Sequence, residues 1–176
     1  DLSLLANGDT EDAAVLTFDF VPAGNQIVFS YVFSSEEYNE YVGSSYNDVF
    51  AFYVNGQNCA TVQGGAVSIN TINNDSNSAQ YVDNTDAHLD TQMDGLTVVL
   101  TCSATVTPGA SNTMKLAIAD TGDSSLDSNV FIQAKSFTVP TPTPTPTEVP
   151  TTTPTPTVVA GEPAKPQQYA QPPAPA

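Results

Sequence analysis

Two short apolar runs, Phe29–Phe33 and Val49–Val54, stand on either side of a polar connection carrying Glu36, Glu37, Glu40, Asn47 and Asp48. Both runs are rich in Phe, Tyr and Val and too short for stable helices, so the pattern predicts strands. Upstream, 13–22 alternates: Leu16, Phe18 and Phe20 fall on one face and Val15, Thr17 and Asp19 on the other. That predicts a half-buried strand ended by Pro22. Ala23-Gly24-Asn25 supplies a turn into a strand over 26–33, and the two strands are expected to pair as a hairpin. Residues 1–12 read as a lead-in or loop.

Downstream, Asn55-Gly56 signals a tight turn after Val54. Weaker strands are expected at 59–62 and 66–72, around Gly64-Gly65. The polar excursion 73–94 has little periodicity and is longer than most loops, so it reads as a binding surface or as the carrier of a short helix. Strands resume at 96–102, 104–106 and 114–119, with a turn at Pro108-Gly109. After an acidic turn over 120–127, a last strand is expected at 129–139. About eight to ten short strands with no helix longer than a turn or two predict an all-β fold, an antiparallel β-sandwich of jelly-roll type.

Composition divides the chain. Of its 14 prolines, 12 lie after Val139, so 1–139 reads as the β-sandwich domain and 140–176 as an extended, polyproline-like stalk or linker. From Thr138 to Thr157 the sequence is TVPTPTPTPTEVPTTTPTPT, ten Thr and seven Pro. Dense Thr beside Pro is the composition of O-glycosylated stalks. The candidate acceptors are Thr141, Thr143, Thr145, Thr147, Thr151, Thr152, Thr153, Thr155 and Thr157.

Charge narrows the partners. There are 19 acidic residues against three lysines, Lys115, Lys135 and Lys165, and no arginine. Residues 1–139 carry 17 of the acids and two of the lysines, a net charge of −15. Nucleic acid and anionic membrane surfaces demand a basic footprint that this chain lacks, whereas cations suit it. No stretch approaches the ~20 apolar residues of a membrane span, so no direct membrane insertion is expected. Asp1 is not a natural start, and processing or truncation is expected to have removed what came before.

Cys59 and Cys102 are the only cysteines. An even pair in an acidic, Thr/Ser/Asn-rich chain suits one disulfide in an oxidising compartment, the alternative being two buried thiols. Without a His or Cys cluster, zinc is not expected.

Glu36, Glu37, Asn47 and Asp48, with Asp120, Asp123 and Asp127 of the acidic turn, form a candidate calcium site. Calcium takes six to eight oxygen ligands in flexible geometry, and loops at one end of a sandwich can supply them from distant points of the chain. The turn is not an EF-hand loop, because its ligand spacing and central Gly are wrong. N-caps, Asx turns and solvated loops are the competing reading of the same residues.

The blocks FDFVP (18–22), YVFSSEEYNEYV (31–42), NDVFAFYVNG (47–56), YVDN (81–84), DGLTVVL (94–100) and KLAIADTGDSSLDSNVFIQAKSF (115–137), taken in order, resemble the choice-of-anchor L domain of bacterial secreted and surface proteins. The resemblance covers nearly all of 9–137. It implies a non-catalytic extracellular β-rich module, secreted or cell-surface, and marks the seven candidate ligands as motif positions without assigning them a role. Two departures stand out: the family's N-terminal portion is missing, and a Thr/Pro stalk replaces the C-terminal anchor. A β-domain lacking early strands has an open edge that recruits strands from other chains. The expected function is therefore a calcium-stabilised structural or adhesive module displayed on a stalk. The alternative is a subunit of a self-assembling filament whose neighbours complete the sheet and hold the tail. Expected partners are further copies of the chain, other surface or matrix proteins, or glycans.

A carbohydrate-active enzyme is the minor alternative. Glu36 and Glu37 are adjacent, and strand neighbours point to opposite faces, whereas glycoside hydrolysis needs facing carboxyls roughly 5–9 Å apart. His88, the one histidine, lies in a polar loop without a triad context. Tyr38, Tyr41 and Tyr46 are read as core-edge filling before sugar stacking. Asn74-Asp75-Ser76 matches a glycosylation sequon that reads as a chance occurrence in a bacterial chain.

Overall fold

In the computed structural model, which describes residues 2–140, the alternating segments pair into two facing antiparallel sheets. One sheet runs β1 (Thr10–Phe20), β10 (Asn112–Thr121), β3 (Val49–Val54), β4 (Gln57–Asn58) in spatial order. The other runs β11 (Ser128–Ile132), β2 (Gln26–Ser35), β8 (Gly95–Thr97), β7 (Tyr81–Asp83), with β9 (Leu100–Thr105) also pairing β2. A small ribbon joins β5 (Thr61–Val62) to β6 (Gly65–Ala66). The chain passes back and forth between the two large sheets in the jelly-roll manner, as the strand pattern predicts.

The core lies between the sheets and is aromatic. Ile27, Phe29, Tyr31 and Phe33 of β2 face Phe50 and Phe52 of β3, all at most 2% exposed. Phe33 stacks on Phe50 with ring centroids 5.1 Å apart, and Tyr31 meets Phe52 edge-on at 5.0 Å. Period-2 alternation puts these rings on one face of each strand, and their size makes them dominate the packing. On the outer face of the first sheet, α1 (Leu2–Ala6) packs Leu2 against Val49, Ala51, Ala117 and Ala119. Small side chains there let the helix approach. The lead-in expected at 1–12 is thus this helical turn followed by the start of β1.

The hairpin expected between 13–22 and 26–33 does not form. β1 pairs β10, and β2 pairs β11, β8 and β9. Phe20 packs on the same core cluster as Ile27 and Phe29, so the Pro22–Asn25 segment arches across the core to the opposite sheet. That arch is pinned where Gly109 N–H donates to the Pro22 carbonyl and Val106 N–H to that of Asn25, both at 2.9 Å. Nor is β1 half-buried: Leu16 is 58% and Phe18 39% exposed, although both point inward.

Asn55-Gly56 makes the predicted tight turn, both residues at positive φ (49° and 82°). The strand expected at 66–72 is instead a turn after β6, in which Thr71 Oγ1 donates to the Ala66 carbonyl at 2.7 Å and Ile72 N–H to that of Ser68 at 3.0 Å. The last strand stops at Ile132; beyond it Gln133 N–H donates to the Ser30 carbonyl and Ser30 N–H to Ser136 Oγ, both at 2.9 Å, and a bridge joins Thr138 to Val28.

The polar excursion 73–94 is ordered by buried asparagines. The Asn73 Oδ1 accepts from the N–H groups of Asp75 and Ser76 (2.9 and 2.8 Å) while its amide donates to the Ile69 carbonyl at 2.8 Å. Asn84 accepts from Leu89 N–H at 2.7 Å and donates to the Met93 carbonyl at 2.8 Å. A 3-10 turn at Ser78–Gln80 is the only helical element within it.

Candidate functional site

The polar connection 36–48 and the acidic turn 122–127 meet at one end of the sandwich, because register brings the relevant strand ends together. Ser35 at the end of β2 pairs with Ser128 at the start of β11, and Val49 of β3 with Ala119 of β10. The two loops are then fastened by Glu36: its N–H donates to the Asp127 carbonyl at 3.1 Å, and its Oε2 accepts from Asp127 N–H at 3.0 Å.

Behind this clasp, Glu37 and Asp48 are 2% and 1% exposed. Glu37 Oε2 accepts from Asp48 N–H at 3.1 Å, and Asp48 Oδ1 accepts from Thr121 N–H at 3.2 Å. Three oxygens beside them are buried without a hydrogen-bond partner: Asp48 Oδ2, Thr121 Oγ1 and Ser128 Oγ. The Ser128 hydroxyl is near enough to favour the charged form of Asp48 while falling short of a formed hydrogen bond. Burial pushes Glu37 up to about 8, partly offset by the Asp48 N–H and reinforced by the charges of Asp48, Asp123 and Asp120. Burial likewise pushes Asp48 up to about 6. Desolvation disfavours the charged carboxylate, and like charges add to that.

The remaining candidates are dispersed around this pair. Asp120 sits opposite Glu11 on β1 and is raised by burial, then by Asp12, Asp127, Asp123 and Glu11. Exposed Asp123 caps its own turn, accepting from Ser125 N–H at 2.9 Å. Asn47 turns away, its Oδ1 accepting from Asn70 N–H at 3.2 Å. The structure thus joins Glu37 to Asp48 and Glu36 to Asp127. Among the described residues, no three of His, Cys, Asp and Glu converge tightly enough to hold a metal by themselves. Thr121 is a site residue the sequence reading passed over, since a hydroxyl at a strand end carries no special signal.

Tyr38 is fully buried, meets the Tyr81 ring at a 43° tilt with centroids 4.8 Å apart, and donates its hydroxyl to the Ile72 carbonyl at 2.8 Å. Tyr41 and Tyr46 meet edge-on at 5.6 Å and are 36% and 37% exposed. His88 pairs with its near neighbour Asp86 at 2.5 Å on the surface. Cys59 and Cys102 form the disulfide, with Cα atoms 5.1 Å apart, and it ties the segment after β4 to β9. The threonines proposed as glycan acceptors, Thr141 to Thr157, lie outside the described residues.

These features define an acidic, disulfide-bonded β-sandwich with one end fastened through buried carboxylates. Residues 1–138 match the family model of the choice-of-anchor L domain, and the chain belongs to that family. Domains of this family are surface or extracellular modules of a non-enzymatic, anchor type, and with the disulfide this indicates an extracellular or cell-surface protein. Neither the curated proteins nor the solved structures contain a match to the chain.

Proposed function

We propose that the domain is a structural and adhesive head, held off the cell by its Thr/Pro stalk and tightened by a calcium ion at its acidic end. The observation that carries the calcium reading is Asp48: an almost fully buried carboxylate with one oxygen unpartnered, beside two equally unpartnered hydroxyls. An uncompensated buried charge is costly, and a cation is the group that would satisfy it. Asp48, Thr121 and Ser128 would hold the ion, with Glu37 behind them; carbonyls of the 122–127 turn and water would complete the oxygen shell that calcium requires. The ion's contribution is to neutralise the carboxylates and tie β3, β10 and β11 together. The stalk, with O-glycans on its threonines, would present the head to other surface or matrix proteins or glycans.

Calorimetric titration of the chelated protein with calcium tests this. Binding that raises the melting temperature, and that Asp48→Asn abolishes, supports the site; no heat and an unchanged melt at millimolar calcium reject it. A second reading, a filament subunit completed by its neighbours, is favoured by the uncovered inner face of β1.

A further inference from the structure

The two sheets are not the same width where β1 and β11 form their edges. β1 pairs β10 on one side and has no described strand on the other; β11 likewise pairs only β2. Leu16 lies opposite Leu116 and Phe18 opposite Met114, so both point toward the core; Ile132, opposite Tyr31, does the same. Yet Leu16 is 58%, Phe18 39% and Ile132 47% exposed. Strand β11 covers β10, and nothing described in the second sheet covers the middle of β1. The result is a cleft of about 370 Å³ between β1 and β11, floored by Phe50, Leu116 and Ile118 and walled by Leu16, Val130 and Ile132. Further along β1, Phe137 packs edge-on against Phe20 with centroids 5.5 Å apart.

By strand order the second sheet stops opposite β10, one strand short of β1. A second folded head brought edge to edge would bring its own β1, which overhangs in the same sheet, and would leave the space beside β11 empty. What fits is a lone extended segment that hydrogen-bonds the free edge of β11 and lays a side chain on Leu16 and Val130. Residues 141–176 can supply such a segment. A strand inside a sheet cannot contain proline, and the longest proline-free run there is Thr157–Glu162, TVVAGE. It is also the stretch with adjacent β-branched valines. Alternation would turn one of Val158 and Val159 into the cleft and the other outward, next to Phe131, which is 54% exposed on the outer face of β11.

Charge favours the same assignment. Heads carrying a net −15 repel one another, whereas 157–161 is uncharged and can approach. Reach separates a neighbour from self: the 18 residues from Pro140 to Thr157 would span about 55 Å at polyproline rise. The head itself is only roughly 37 Å across, and a proline at nearly every second position resists folding back.

We infer that the cleft between β1 and β11 accepts Thr157–Glu162 from the tail of a second copy, so that the chains link head to tail. The inference rests on the filament reading and names the strand that would build it; it is independent of calcium.

The test uses the 176-residue chain and two variants. Val158→Asp/Val159→Asp spoils the donor without touching the head; Leu16→Lys/Ile132→Lys spoils the acceptor, with folding checked by circular dichroism. Light scattering after size exclusion is expected to give multimers for the unmodified chain, monomers for each variant alone, and a one-to-one dimer when the variants are mixed. Multimers that survive Val158→Asp/Val159→Asp would overturn the assignment of the strand while leaving the filament reading standing. An unmodified chain that stays monomeric would overturn both, whether its tail is free or docked on its own head.

Discussion

Replacing Glu37 by Gln isolates the electrostatic cost at the fastened end. The amide oxygen of Gln can still accept from Asp48 N–H, so the geometry is kept and only the charge is lost. In the folded chain Glu37 holds its proton up to about 8, against an ordinary 4.5. The native state therefore binds more protons than the unfolded state across that window, and stability falls as pH rises through it, by up to about 1.4 kcal/mol per pH unit. By pH 7 that is a loss of about 3 kcal/mol relative to pH 4.5, with Asp48 adding a coupled loss between 3.8 and about 6. For a domain of this length, about 3 kcal/mol corresponds to roughly 6–12 °C in melting temperature.

The assay is thermal unfolding by circular dichroism in chelator from pH 4.5 to 8.5, repeated in millimolar calcium. In chelator the unmodified chain is expected to lose melting temperature steadily up to about pH 8, and Glu37→Gln to lose about a third as much and to be the more stable protein at pH 8. If the ion binds the ionised carboxylates, the order is expected to reverse at pH 8 in calcium. A flat profile for the unmodified chain in chelator would refute the buried-carboxylate argument. A decline that is identical with and without calcium would leave that argument intact and remove the ion.

Three further perturbations test packing elsewhere in the head. Cys59→Ser/Cys102→Ser opens a loop with a sequence separation of 43, and chemical denaturation should show a loss of about 3–4 kcal/mol. Gly95→Ala would place a methyl 2.6 Å from the Tyr38 ring and 2.7 Å from that of Tyr81; a loss of about 1–3 kcal/mol in the same measurement is expected, and an unchanged midpoint would contradict that close approach. Asn112→Ala removes a buried amide that bonds Thr107 N–H, the carbonyls of Thr107 and Ala110, and the Asn55 side chain; the midpoint should fall by at least about 2 kcal/mol.

Strand existence was legible because alternation reports which residues share a face; Phe29, Tyr31 and Phe33 are buried together as their spacing requires. Strand partnership was not, since it depends on which faces must meet across the core. Phe20 and Ile27 read as two arms of a hairpin, and the need to bury both from opposite sheets sends them apart. The disulfide followed from counting to two. At the acidic end, the sequence gathers Glu36, Glu37, Asn47 and Asp48 without saying which are buried. Glu37 and Asp48 enter the interior and Asn47 turns to Asn70 because the register of four strand ends, invisible locally, fixes where the connection crosses. The order in 73–94 comes from Asn73 and Asn84, whose side chains do the work of a hydrogen-bonded ladder.

The strand whose alternation reads as half-buried, β1, is the one the fold leaves uncovered, and that disagreement carries information. Its inner positions, Ala14, Leu16, Phe18 and Phe20, are apolar throughout, and its outer positions include Thr17 and Asp19. That is the alternation of a strand covered on one face, and a strand meant for water on both faces has no use for Leu16 and Phe18 on a single side. Exposed apolar side chains that also point at a core differ from scattered surface hydrophobics, because the opposite sheet has already supplied the far wall of a site for one more strand. The acidic end and the open seam would then divide the labour: one would hold the head's own loops together, and the other would hold one head to the next.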